Sequence, residues 1–597
     1  MAEKASYEFG AFHLDSCKRL LTSQGKSLPL TPKAFDILLV LVEHAGQVMV
    51  KEDLLRIVWP DTVVEEGNLT FNIHALRKAL GERPSEHKYI LTVPGRGYCF
   101  VAETKKVSAA EPGRVDTVAL PGPQRPPVKS LAVLPFRSPL SAPEHEYLGL
   151  GIADALITRL GGLRQVAVRP TISVRKYVSV ESSPDVIGRE LGVESILEGS
   201  IRLAGERIRV TVQLISVGDG SELWAEKFDE SFTDVFAVED RVSERVADAL
   251  KIKLSQAEKE LLRKRYTVNP NAFQSYLKGR YSWNKRTRDG IRKGIEHFDN
   301  AIEQDPLYAL AYTGLADCYS LLSMHGVLQP RQAFSRAKAA AIRALEIDDQ
   351  LAEAHASLAY ANLYYEWDWA AAESGFRRSI DLSPNYATAH HWYHEYLVLC
   401  GRIDEATEEI NKAQELDPLS PAINAALVLP LLNSGQYDPA VSALKRVIAL
   451  DPGFYRGHFF LGIAYTLMGL YEMAFAELRD AVTLSENSTR AVAVLGWAYA
   501  VAGKQDQARA IIDELQRRMH DSYVPPYGMA IIWTALGEKA KALDWLEKGY
   551  DRRDEYLTRL GIAVELNSLR SDPRFRDLLE RVGLTTPTRV ADYSARK

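Results

Sequence analysis

LTPKAFDILLVLVEHAGQVMVKEDLLRIVW at residues 30–59, NLTFNIHALRKALGE at 68–82 and YILTVPGRGYCFVA at 89–102 follow one another along the chain, and their periodicities decide how this part folds. Thr31-Pro32 marks a helix start, because proline's fixed φ and missing N–H are tolerated in a first turn. The spacing predicts a helix from Lys33 to about His44, with Phe35, Leu38, Leu39 and Val42 toward a core and Gly46 where a C-terminal cap belongs. Lys51 to Trp59 reads as a second helix, stopped by Pro60. Leu69, Ile73, Leu76 and Leu80 recur at helical intervals, so residues 68–80 form a third amphipathic helix, closed by Gly81. The last stretch alternates on both sides of Pro94-Gly95-Arg96-Gly97, a tight hairpin.

Upstream, YEFGAFHLD and SLPL read as short strands, so residues 1–104 are expected to be a winged helix. Downstream, residues 105–129 hold Pro112, Pro121, Pro123, Pro126 and Pro127 without apolar periodicity, the composition of a semi-extended linker that lets the first domain swivel. Limited proteolysis should cut there first, because unpaired proline-rich backbone is accessible to proteases. Protection of the linker, with cuts confined to later segments, would contradict this.

Residues 130–255 alternate strand and helix signals. SLAVLPF and QVAVRP read as strands, Tyr147 to Leu160 and Pro184 to Leu191 as helices, and residues 196–228 as three strands joined at Ala204-Gly205-Glu206 and Val217-Gly218-Asp219-Gly220. This is a compact α/β domain. From about Asn269 the chain repeats: Pro384, Pro418 and Pro452 stand 34 residues apart, with Glu486 one period further on. Ala406, Ala440, Ala474 and Ala508 keep the same period, as do Gly401, Gly435, Gly469 and Gly503. That is the tetratricopeptide period, and residues 256–597 are expected to be an α-solenoid of about eight helical pairs closed by DPRFRDLLERVGL. The fold class is therefore multidomain, α+β and all-α.

A chain of 597 residues needs several domains, and its net charge of -5 means that any contact with a polyanion must come from a local patch. Residues 1–104 are themselves close to neutral, with 12 Lys and Arg against 13 Asp and Glu. Cys17, Cys99, Cys318 and Cys400 lie far apart and suit reduced thiols rather than a zinc site. No apolar run is long enough for a membrane span, so a soluble cytoplasmic protein is expected. GxxxxGK[ST] does not occur, which excludes ATPase-driven activators, and HExxH, GxSxG and the kinase signatures are absent too. No enzyme, cofactor or metal is expected. His390 and His394, one turn apart, read as packing residues because no cysteine or carboxylate set accompanies them.

The three opening segments, taken in order, resemble the OmpR/PhoB-type winged-helix DNA-binding domain, closest to the CadC-like and ToxR-like branch that lacks a phosphoacceptor receiver. The resemblance implies that Thr70, Phe71, His74 and Ala75 face base edges. It also implies that Asn68, Asn72, Arg77 and the wing residues Arg96 and Tyr98 hold backbone or minor groove, with Lys78 in the same basic cluster. Ala75 and Cys99 stand where many relatives carry arginine, so base specificity does not transfer. LAVLPF, GIADALITRL, ELGVESILEGSIR and DGSELWAEKFD resemble the TolB-amino-terminal-like domain, which implies fold more than function. In the repeats, the tetratricopeptide resemblance puts His391, Glu395, Asn433, Arg456, Phe459, Arg490 and Trp497 on a concave partner groove. Arg456 and Arg490, one repeat apart, are expected there to grip a carboxylate. The expectation as a whole is a one-component transcriptional regulator that binds double-stranded promoter DNA and meets RNA polymerase or another protein through its repeats. The rival is a tetratricopeptide scaffold whose winged helix mediates protein contacts.

Overall fold

Glycine at position 10, with φ 56°, folds the YEFGAFHLD stretch back on itself, so that it forms two strands, β1 (Ser6–Phe9) and β2 (Phe12–Asp15). The computed structural model describes residues 6–584 except 16–19, 24–25, 29, 31, 59–65, 83–87, 94–95, 103, 108–129, 138–145, 180–181, 205–206, 232–234, 251, 253, 286 and 325. It divides into two compact units, residues 1–124 and 125–597.

In the first unit, β3 (Leu20–Ser23) and β4 (Lys26–Leu28) continue the meander. There follow α1 (Pro32–Glu43), β5 (Val48–Val50), α2 (Lys51–Val58), α3 (Glu66–Ala79), β6 (Ile90–Val93), β7 (Gly97–Phe100) and β8 (Lys105–Val107). The strands form an antiparallel sheet ordered β4-β3-β2-β1-β8 and a three-stranded wing sheet ordered β5-β7-β6. The expected linker is corrected at its start: residues 105–107 pair with β1, because their backbone groups complete that sheet edge. The rest of it, residues 108–129, lies outside the described residues. Leu69, Ile73, Leu76 and Leu80 are all buried, in one core with Phe9, Phe35, Leu38 and Phe100. Gly97 has a steric reason to be glycine, since a Cβ there would lie 1.9 Å from the carbonyl oxygen of Met49 on the neighbouring strand.

The second unit opens with β9 (Ser130–Val133), α4 (Glu146–Gly161), β10 (Ala167–Val168), α5 (Thr171–Val174) and α6 (Pro184–Leu191). Next come β11 (Ser195–Ala204), β12 (Arg207–Ser216), β13 (Glu222–Ser231), α7 (Val235–Ala249) and α8 (Gln256–Arg263). The sheet order is β10-β9-β11-β12-β13, parallel across the first three strands and antiparallel across the last three.

Eight helical pairs follow among the described residues. They are α9 (Pro270–Asn284) with α10 (Arg288–Gln304), α11 (Ala309–Met324) with α12 (Pro330–Ile347), and α13 (Ala352–Ala361) with α14 (Trp369–Leu382). Then come α15 (Ala387–Leu399) with α16 (Ile403–Leu416), and α17 (Pro421–Ala426) plus α18 (Val428–Asn433) with α19 (Tyr437–Leu450). The last three are α20 (Tyr455–Leu467) with α21 (Tyr471–Leu484), α22 (Thr489–Val501) with α23 (Gln505–Arg518), and α24 (Pro526–Ala535) with α25 (Lys539–Asp551). Two 3-10 turns, Glu555–Arg559 and Val564–Leu569, and α26 (Pro573–Arg581) close the array. The turn glycines 401, 435, 469 and 503 share φ values of 74° to 76°, the left-handed conformation that favours glycine after a helix. Glu486 explains why the proline register lapses: its φ is 52°, which the proline ring forbids.

The α/β domain and the repeats share one core. Leu131, Ile152 and Leu156 pack in the same cluster as Phe273, Tyr276 and Leu277 of α9. Polar contacts reinforce the junction. Asp154 on α4, 1% exposed, accepts from Arg280 of α9 at 2.8 and 3.1 Å and from the Thr171 hydroxyl. Buried Arg169 donates to the carbonyls of Leu191, Gly192, Glu415 and Leu416, tying α6 to α16. Beside it, Ser173 donates to buried Asp417.

Burial pushes the Asp417 carboxyl up to about 6, against the Ser173 hydrogen bond and the positive charges of Arg169 and His391. A raised carboxyl pKa favours the folded state below the ordinary value of 3.8, and that contribution disappears as pH rises through about 6. An asparagine at 417 keeps an acceptor for Ser173 but does not titrate. The stability of Asp417→Asn relative to the parent should therefore rise by about 3 kcal/mol between pH 3.5 and 7. Denaturant unfolding of both proteins across that range measures the gap, and a constant difference would contradict the assignment.

Candidate nucleic-acid interface and the inner face of the repeats

Three of the residues expected to meet DNA share one exposed stripe. Thr70, His74 and Lys78 follow at four-residue intervals on α3, opposite the buried Leu69, Ile73, Leu76 face, and all three are exposed. Ala75 beside them is half-buried, and Arg96 in the wing is exposed. Asn68 and Phe71 belong to α3, but their side chains lie outside what is described.

Three other expected contacts are corrected. Arg77 is buried, and its guanidinium donates to the carbonyl of Ile90 and to Oγ1 of Thr92, each at 2.8 Å. It anchors α3 to the wing strand β6 rather than reaching for phosphate. Tyr98 is buried in the core with Phe100, on a strand whose four residues are all buried. Asn72 lies on the buried side of α3. Sequence reasoning missed Glu82, whose buried carboxylate accepts from the backbone N–H of Tyr89 at 3.0 Å and of Ile90 at 3.1 Å. Arg77 and Glu82 together fix the angle between α3 and the wing. The signal available was their place at the end of the third helix, just ahead of the hairpin.

On the repeats, the expected open groove is also corrected. The closing turns return to the third helical pair: Arg553 donates to the carbonyl of Glu366 and stacks on Trp367, and Trp369 Nε1 donates to the carbonyl of Val582. His391, Glu395, Phe459 and Trp497 are consequently buried, and Asn433 is half-buried. Glu395 accepts from the Tyr364 hydroxyl at 2.8 Å and lies 3.5 Å from His391 Nε2 and 3.9 Å from Arg456. Burial alone would raise this carboxyl, but His391, Arg456 and Tyr364 outweigh it and hold it at about 2. Arg456 thus lies beside a carboxylate of its own chain, Glu395, while its buried Nε has no hydrogen-bond partner among the described residues.

The histidines act as struts within repeats. His390 lies 3.0 Å from the carbonyl of Pro384 and 2.6 Å from Glu409. His458, two periods later, lies 3.2 Å from the carbonyl of Pro452 and 2.8 Å from Glu477. Asn424 in the repeat between them donates to the carbonyl of Pro418, and His355 pairs with that of Asp349. Each side chain reaches back six residues to tie its helix to the preceding turn. His394 sets both ring nitrogens against carbonyls, those of Ala406 and Ala426, and burial lowers its pKa. Asp480 adjoins the His458–Glu477 pair, but both His458 nitrogens already face partners. No helix among the described residues is long and apolar enough to cross a membrane.

Comparison with known proteins agrees with these two units. Residues 25–100 match the family described as "Transcriptional regulatory protein, C terminal", and residues 128–245 match "HilA/YgeH-like transcriptional regulator, second domain". The second match sets the α/β domain among transcriptional regulators, a context that the TolB-amino-terminal-like resemblance did not supply. Transcriptional regulator HilA of Salmonella typhimurium is 27% identical over 424 residues, covering 69% of this chain and 70% of HilA. Putative adenylate cyclase 3 of Rhizobium meliloti is 34% identical over 213 residues, covering 35% of this chain and only 36% of that protein. Among solved structures, the DNA-binding domain of Escherichia coli CadC is 28% identical and covers 17% of this chain and 98% of that one, with a TM-score of 0.16. The chain is thus similar to an OmpR/PhoB-type regulator domain over residues 25–100 and to a HilA/YgeH-like second domain over residues 128–245, with a tetratricopeptide array after them, and it resembles HilA over 69% of its length.

Proposed function

We propose that the protein is a cytoplasmic one-component transcriptional regulator that binds promoter DNA sequence-specifically through its first unit and receives a signal or a protein partner, such as RNA polymerase, through its second. The observation that carries this reading is the exposed Thr70, His74 and Lys78 stripe on α3, with the exposed wing residue Arg96, in a domain of the OmpR/PhoB type. Such a stripe fits the major groove, where His74 and Thr70 reach base edges and Lys78 and Arg96 neutralise phosphates. The near-neutral charge of the domain makes those few cations carry most of the electrostatic attraction. No catalytic step is assigned to any part of the chain. The scaffold reading is weaker, because the inner repeat face that would hold partner segments is covered by the closing turns.

Deletion of residues 1–104 tests the proposal. The full chain should shift promoter fragments in a salt-dependent manner, and the deleted protein should not. Equal binding by the two would move the interface to the second unit.

A further inference from the structure

Between the inner helices α20, α22 and α24 and the two closing 3-10 turns lies a small recess, open in part to solvent. Its walls are largely apolar and aromatic, with Phe459, Tyr527 and Tyr556 presenting their rings. Two guanidiniums enter it. Arg490 is held against two rings, 4.9 Å from the centroid of Phe459 and 4.2 Å from that of Tyr556. Arg559 comes from the first closing turn. Neither donates a side-chain hydrogen bond to any described residue. A guanidinium stacked on aromatic faces still has its N–H edge available, and that edge matches a carboxylate bidentately.

One carboxylate, Glu565, also lines the recess, and it is occupied by the Tyr527 hydroxyl at 2.7 Å. Beside Arg490, two buried polar atoms have no partner: the Tyr556 hydroxyl and Oε2 of Glu555. Arg559 faces the charge of Glu565 and Arg490 faces Asp554 and Glu555, yet neither guanidinium is hydrogen-bonded to a described residue; buried polar groups are normally satisfied, so these open N–H edges beside the orphaned Tyr556 hydroxyl leave a place for a further acceptor. Burial and neighbouring Asp554 push the Glu555 carboxyl well up. The lining therefore offers two guanidiniums and the Tyr556 hydroxyl, with one carboxylate, Glu565, that the Tyr527 hydroxyl already engages.

We propose that this recess binds a small organic carboxylate with a flat apolar body. The carboxylate is held by Arg490 and Arg559, and the body lies among Phe459, Tyr527 and Tyr556. The closing turns cover the inner face, so an extended peptide has no open run of groove to occupy. That the ligand serves as a signal rests on the regulator reading; its binding does not.

Titration calorimetry on the full chain with 3-phenylpropionate, 3-phenylpropanamide and 2-phenylethylammonium tests the site. The carboxylate should bind saturably, the amide at least tenfold more weakly, and the amine not at all. Arg490→Gln and Arg559→Gln should each weaken carboxylate binding at least tenfold, while the circular dichroism and Tm of the unliganded protein stay close to the parent's. No saturable binding of 3-phenylpropionate, equal binding of the amide, preference for the amine, or indifference to both substitutions would overturn the proposal. DNA affinity with and without 3-phenylpropionate separates the two readings. A protein that binds the carboxylate but no DNA keeps the site and loses the regulator.

Discussion

Replacing Asp154 with alanine is expected to destabilise the second unit by about 3–5 kcal/mol, a large share of the roughly 5–15 kcal/mol that holds a typical domain together. Asp154 is almost fully buried and takes both arms of Arg280, whose side chain is 19% exposed. Removing the carboxylate leaves a guanidinium stranded between α4 and α9 and takes away the acceptor of the Thr171 hydroxyl. The cost comes from that uncompensated charge more than from the lost attraction. Replacing both partners by apolar residues, Asp154→Leu with Arg280→Met, should therefore recover much of the stability. Urea unfolding of the full chain, followed by far-ultraviolet circular dichroism, measures both effects. A loss below about 1 kcal/mol for the single variant would mean that the α/β domain and the repeats are not joined through this pair.

How much of this was legible in sequence depends on which interactions repeat. The helices α1 to α3 follow from apolar spacing, and the array follows from a 34-residue period marked by Ala406, Ala440, Ala474 and Ala508, all fully buried. Local patterns cannot reveal what comes together over long separations. Arg169 bonds carbonyls more than two hundred residues away, and nothing at position 169 distinguishes it from a surface arginine. The strand Leu20–Ser23 escaped because four residues leave too little alternation, and α7 because its apolar face is interrupted by charges. Arg77 and Tyr98 were misassigned because helix and wing positions indicate proximity to DNA, whereas burial decides availability. The recess residues Tyr556, Arg559 and Glu565 lie past the last regular repeat, so the period that located the groove could not include them. Their interleaving of Arg, Tyr and Glu with leucine and alanine was the signal that could have found them.

The second large effect is expected at the DNA interface. Lys78→Ala and Arg96→Ala should each weaken binding about tenfold at physiological salt and lower the slope of log affinity against log salt by about one. In a near-neutral domain few other cations can compensate, so the double variant should lose about a hundredfold. His74→Ala should behave differently, leaving the salt slope intact while relaxing preference at one base pair by roughly 1–3 kcal/mol. Arg77→Ala should loosen α3 from β6 and lower the Tm of the first unit, because its hydrogen bonds lie within the fold. A loss of DNA affinity in Arg77→Ala without loss of stability would place Arg77 at the DNA instead.

Sequencing the DNA recovered with the protein from its own genome, in parallel with the Lys78→Ala, Arg96→Ala double variant, tests the central claim most directly. A regulator that reads DNA through α3 and the wing should enrich a discrete set of fragments sharing a short common sequence, and the double variant should lose that enrichment while remaining folded. Recovery of no shared sequence, or the same fragments with the double variant, would contradict it.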